Sequence, residues 1–170
     1  MNNIDDEKEK IKTWLFEYDK FVVNERQDSN YHFSFWIWDK KNQKSSIIPV
    51  VIGYLKEKQI GHDCIQIGYG MNLEMTNPIV KAVITDPFKK KMFIEKMKDI
   101  INPKYFLLKF SPTEEEMKAI KVFTLYPIEW LTKKILFSKI IEVWVTYANL
   151  LYQLEQISGR SDLSNPSKYV

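Results

Sequence analysis

The chain is predicted to be an α+β protein, a twisted antiparallel sheet in meander order with helices packed on one face and a long helix near the C-terminal end. Three observations lead there. Residues 21–70 read as four short β-prone runs separated by turn clusters, with helical patterns only before and after them. That order suits α+β, not the strand–helix alternation of a parallel sheet. Residues 127–156 read PIEWLTKKILFSKIIEVWVTYANLLYQLEQ, where Lys139, Glu142, Thr146, Asn149, Gln153 and Gln156 recur at threes and fours among apolar residues. Such spacing puts the polar residues on one narrow stripe of a helix. Finally, 170 residues with 45% hydrophobic content can build a real core. One domain is expected over 1–157, with a flexible tail over 158–170, where turn composition replaces periodicity.

The first helix is expected over Ile4–Tyr18. Asp5, Asp6 and Glu7 fall in its first turn, and Ile11, Trp14, Leu15 and Tyr18 make one apolar face. Strands follow at Phe21–Glu25, Tyr31–Asp39, Ile47–Leu55 and Asp63–Gly70. In the second, Tyr31, Phe33, Phe35 and Ile37 alternate with His32, Ser34, Trp36 and Trp38. Pro49 suits a strand entry, and Gly68 and Gly70 suit a bulge. Asn77-Pro78 starts a short helix, and Asp86-Pro87 starts a longer one with apolar positions Phe88, Met92, Phe93, Met97, Ile100 and Ile101. Tyr105–Phe110 reads as a buried strand, Met117–Thr124 as the last strand, and the long helix runs from Pro127 to about Gln156.

Composition narrows function by exclusion. The net charge is +3, and Arg26 and Arg160 are the only arginines. Arginine is the usual bidentate reader of phosphates and guanine edges, so nucleic acid is not expected as a partner. The polar, acidic start MNNIDDEKEK is the opposite of a signal peptide, no apolar run approaches the roughly 20 residues of a bilayer span, and the single Cys64 fits a reducing compartment. A cytoplasmic protein without membrane contact is expected.

Catalytic and metal motifs are missing. His62 and Cys64, two apart in an extended chain, share a face, but no third group orients them as a nucleophile and its base. A loop histidine beside a core cysteine is the plainer reading. His32, His62 and Cys64 are the only soft ligands, with no zinc spacing, and no phosphate-loop or dinucleotide motif occurs. No enzyme, metal or cofactor is expected. Lys89, Lys90 and Lys91 lie in the first turns of a helix, where free amides also attract anions, so they are the candidate anion site. A solvated helix face explains them as well. Trp36 and Trp38 share a strand face and could stack bases. The face of a sheet beneath a helix looks the same and is preferred.

Three segments carry a family resemblance. IDDEKEKIKTWLFEYD, IIPVVIGYLKEKQIGHDCIQIGYGMNL and KVFTLYPIEWLTKKILFSKIIEVWVTYANLL resemble the first helix, a strand–turn–strand, and the closing strand and long helix of an uncharacterised archaeal family, domain of unknown function 2299. That family is similar in fold to type III secretion chaperones and YbjN-like proteins. The resemblance implies their fold and a dimer, and it implies no catalytic residues. It also implies a groove for client proteins, for which the aromatic strand offers Phe33, Phe35, Trp36 and Trp38 as partner-binding residues. The long helix is apolar over a wider arc than one sheet covers. The Phe137–Ile141–Trp144–Ala148–Leu151 seam is expected to meet the sheet. The neighbouring seam, with Val143, Tyr147, Leu150 and Leu154, is expected to form a homodimer interface about a two-fold axis, the alternative being that the first helix and the Asp86–Ile101 helix cover it within a monomer.

Overall fold

A computed structural model describes residues 3–42 and 48–159. The elements in chain order are α1 (Ile4–Phe16), β1 (Phe21–Arg26), β2 (Tyr31–Asp39), β3 (Val50–Leu55), β4 (Cys64–Asn72), α2 (Pro78–Ile84), α3 (Pro87–Ile101), β5 (Leu107–Ser111), β6 (Ala119–Pro127) and α4 (Lys133–Ser158). Short 3-10 turns occupy Lys40–Asn42, Asn102–Lys104 and Ile128–Trp130. The strands form a six-stranded antiparallel open sheet in the order β1-β2-β3-β4-β6-β5. The chain divides into two compact units, Met1–Tyr69 with Thr124–Glu142 and Gly70–Phe123 with Val143–Val170.

In the first unit, the Asn3 side chain caps α1 by accepting from the Asp5 amide at 3.2 Å, beside the acidic first turn. Ile11 and Leu15 of α1 are buried. In β1 and β2, Val23 pairs with Ile37, Glu25 with Phe35, Asn24 with Trp36 and Arg26 with Ser34. Directly paired residues point to the same side of an antiparallel sheet, so the register sorts the side chains into two faces. One face holds Phe33, Phe35, Ile37, Ile52, Tyr54, Ile65 and Ile67, all buried. Helix contacts land there: Lys8 of α1 pairs with Glu25, and Phe137 of α4 stacks on Phe21 with centroids 5.6 Å apart. Gln59 and His62 exchange backbone hydrogen bonds around Ile60 and Gly61, whose φ values are 50° and 78°. These left-handed values at both central residues close the β3–β4 hairpin in a primed turn.

In the second unit, Asn77 and Asp86 cap α2 and α3 through their side chains, and Pro78 and Pro87 take the first helical positions. Val80, Val83, Phe93, Ile94, Met97 and Ile101 are buried, with Ile120 and Val122 of β6. β5 pairs antiparallel with β6 and forms a sheet edge.

Several expectations are corrected. The buried strand expected at Tyr105–Phe110 is the edge strand Leu107–Ser111, and Tyr105 is 89% exposed with φ 58°. Phe88 and Met92 of α3 face outward. β3 begins at Val50, and Ile47 lies outside the described residues, as does the tail beyond Gly159. α4 starts only at Lys133, because β6 continues to Pro127 and a 3-10 turn follows; the Thr132 hydroxyl accepts from the Ile135 amide at 3.2 Å.

The largest correction is the rotation of α4. Leu136, Ile140, Val143, Tyr147, Leu150 and Leu154 are all buried in the chain itself. The seam assigned to a second copy is therefore core. The residues expected against the sheet are the more open ones, with Ile141 57% exposed and Trp144 half-buried. The outward stripe is Lys134, Ser138, Ile141, Val145, Tyr152 and Gln156. Thr146 of the expected polar stripe is fully buried and donates its hydroxyl to the Val143 carbonyl at 2.7 Å. By length and composition α4 would also pass as a membrane-crossing helix, a test that core helices pass too.

Candidate functional site

The face of the β1–β3 region opposite the helices, called the open face below, has a buried floor of Tyr31, Ser34 and Gln66, half-buried Trp36 and Trp38, and exposed Asn24 and Arg26. Its rows follow from the register: Arg26, Ser34, Gly53 and Gln66 in one, Asn24, Trp36, Val51 and Gly68 in the next, Val22 and Trp38 in a third. A bulge between Tyr31 and Phe33 moves Tyr31 onto this face, opposite Leu55, instead of the Phe33 face that simple alternation gives. Gly53 makes room for it. A Cβ at Gly53 would overlap the Tyr31 ring, so the ring lies flush on bare backbone. Gln66 Nε2 donates to the Tyr31 hydroxyl at 2.7 Å, and Ser34 Oγ donates to the Arg26 carbonyl at 2.7 Å. Burial pushes the Tyr31 phenol above its ordinary range, helped by Asp28 and opposed by the Gln66 hydrogen bond.

On this floor stands an aromatic–cation cluster. The Arg26 guanidinium carbon lies 4.0 Å from the Trp36 ring centre and 5.7 Å from that of Trp38, and the two indoles are 6.3 Å apart. Both indoles are half-buried and Arg26 is exposed. Of the four residues assigned to partner binding, Trp36 and Trp38 are thus reachable. Phe33 and Phe35 are 5% and 0% exposed on the helix-covered face, and that part of the assignment is corrected. Trp36 and Trp38 do not lie beneath a helix, contrary to the expectation for this strand face, because α1 and the start of α4 engage the opposite face. Arg26, Tyr31 and Gln66 were not picked out from sequence. A signal for Arg26 existed, since it is one of two arginines and ends a strand beside the Trp36 strand.

The other candidates come apart. Lys89 Nζ donates to the Ser158 carbonyl at 3.3 Å, and Lys90 Nζ donates to the Glu115 carbonyl. Two of the three lysines of the anion site are tied to backbone, which leaves Lys91 exposed on its own. Cys64 is buried, and burial pushes its thiol pKa up, against the lowering effect of a Gln59 backbone hydrogen bond. A nucleophilic cysteine needs the reverse shift. His62 is exposed at the hairpin end, its Nδ1 3.3 Å from Glu129 Oε1 and its ring 5.7 Å from that of Trp130. Among the described residues no three metal-ligating side chains converge. Val143, Tyr147, Leu150 and Leu154, the proposed dimer seam, are in the core as described above.

No family model and no curated protein matches the chain. The crystal structure of an uncharacterized protein from Methanothermobacter thermautotrophicus does match, with a TM-score of 0.69 and 19% identity, over 88% of this chain and 97% of that one. The chain therefore shares its α+β fold with an uncharacterised archaeal protein.

Proposed function

We propose that the protein is a non-enzymatic, chaperone-like binding domain that holds an extended polypeptide on the open face of β1–β3 and self-associates through α4. We also place it with the domain of unknown function 2299 family and its type III secretion chaperone and YbjN-like relatives. The uncharacterised archaeal protein of the same fold supports the coarser part of this reading, an archaeal family of unknown function. The observation that carries the binding reading is the reachable Trp36–Trp38 pair beneath Arg26, on a face whose polar floor is internally satisfied. Half-exposed indoles are favoured interface anchors because they bring large contact area at small entropic cost.

For self-association the interface moves to the outward stripe of α4, where Ile141, Val145 and Tyr152 are 57%, 45% and 50% exposed. Apolar side chains in a row on a surface helix are the kind of patch that a second copy covers.

Two experiments test this reading. The protein should suppress aggregation of a chemically unfolded model client, and the Trp36→Ala/Trp38→Ala double variant should not. Equal suppression by both removes the binding surface from the proposal. Light scattering should give twice the monomer mass, and Tyr152→Glu should halve it; a mass near 20.3 kDa for the unaltered chain ends the dimer.

A further inference from the structure

Arg26 stands out electrostatically from its surroundings. Lysines of both units find carboxylates: Lys8 with Glu25, Lys58 with Asp63 at 4.0 Å, Lys98 with Glu114 at 3.4 Å and Lys139 with Glu142 at 3.1 Å. Three acids of β1, β2 and the turn between them are engaged in other contacts. Glu25 points to the covered face and pairs with Lys8, Asp28 accepts from the Asn30 amide at 2.8 Å, and Asp39 accepts from the Lys41 amide at 2.9 Å. Among the described residues no carboxylate pairs with Arg26 and no acceptor takes a hydrogen bond from its guanidinium.

A guanidinium carries five donors in a planar fork. Lying over the face of Trp36, it is held in place and partly shielded while those donors stay unspent. A fork in that state matches a carboxylate, which it can bind through two parallel hydrogen bonds. The spacing beside it also bears on the ligand. The Trp36 and Trp38 rings are 6.3 Å apart, close to the roughly 6.6 Å between alternate side chains of an extended chain.

We propose that the open face of β1–β3 receives an acidic, extended polypeptide segment, whose carboxylate is gripped by the Arg26 fork while alternate apolar side chains rest on Trp36 and Trp38. This rests on the reading of that face as a polypeptide-binding surface, and it names the chemistry of the partner.

The test is calorimetric titration of the full chain with three probes: a capped peptide alternating Glu and Val, its Gln-for-Glu counterpart, and oligothymidine. The Glu peptide should bind about tenfold or more tightly than the Gln peptide, in keeping with a charge-assisted bidentate contact. Arg26→Gln should erase that difference. Arg26→Lys, which keeps the charge but not the fork, should restore only part of it. Circular dichroism should show all variants folded, since Arg26 is exposed. Equal binding of the two peptides, lost in Trp36→Ala/Trp38→Ala, would overturn the carboxylate anchor and leave the aromatic platform standing. If neither peptide binds and client aggregation is not suppressed, both readings fall. Oligothymidine binding as tightly as the Glu peptide, with the same dependence on Arg26, would overturn the assignment to polypeptide in favour of nucleic acid.

Discussion

The two faces of β2 are built from similar residues and do different work. Phe33, Phe35 and Ile37 are sealed against helices, while Trp36 and Trp38, one residue out of phase, stay half-open beneath a cation. Both faces are rich in aromatic side chains. What separates them is the company: aliphatic residues on one side, and Ser34, Gln66, Arg26 and bare glycine backbone on the other. Aromatic content alone therefore does not mark a core face. Ser34 and Gln66 are buried and satisfied within the sheet, so it is the Arg26 guanidinium, unpaired among the described residues, that a covering helix would strand.

Substitutions can break or sharpen this contrast. The largest effect should come from Phe35→Ala, which removes a fully buried ring from the covered face and should cost about 3–5 kcal/mol by urea denaturation. A loss near zero would mean that the covered face is not core. Next is Gly53→Ala, whose new methyl group meets the Tyr31 ring; an overpacking loss of about 1–3 kcal/mol is expected, with Tyr31→Ala in the same background relieving part of it. Gln66→Leu leaves the Tyr31 hydroxyl without its donor and should cost about 1 kcal/mol. Trp36→Ala should cost the fold roughly 1 kcal/mol, the cation–π contact and a half-buried ring, yet affect ligand binding far more than Phe35→Ala does per unit of stability lost.

The smallest effect is a pH dependence. The Tyr31 phenol is raised above 10.0 in the folded chain, first by burial, and so is that of Tyr54. A group with a raised folded pKa contributes stability that is complete below its unfolded value and is lost as pH rises through the folded value. The melting temperature should therefore fall above about pH 10. Tyr31→Phe should make that fall shallower, since only one of the two phenols then remains.

Local signals in the sequence proved readable where local chemistry decides the structure. Asn77-Pro78 and Asp86-Pro87 start helices because the cap oxygen and the proline ring act on the adjoining turn alone. The limits of β2 at Tyr31 and Asp39 coincide with the expected ones, since turn residues bracket the strand on both sides. The candidate site was half legible. Trp36 and Trp38 could be put on one face by alternation, but Arg26 reaches them across a strand pairing that only folding creates.

Sequence by itself determined the α+β class, the order of the helices and strands, and the helix starts at Asn77 and Asp86, because each rests on spacing within one segment or on side chains a few residues apart. Tertiary structure decided which apolar seam of α4 is core, because a helix apolar on nearly all sides carries no internal preference and turns to whichever contacts bury the most surface. It also decided the Tyr31 bulge, which depends on a gap at Gly53 and a donor at Gln66, both distant in the chain.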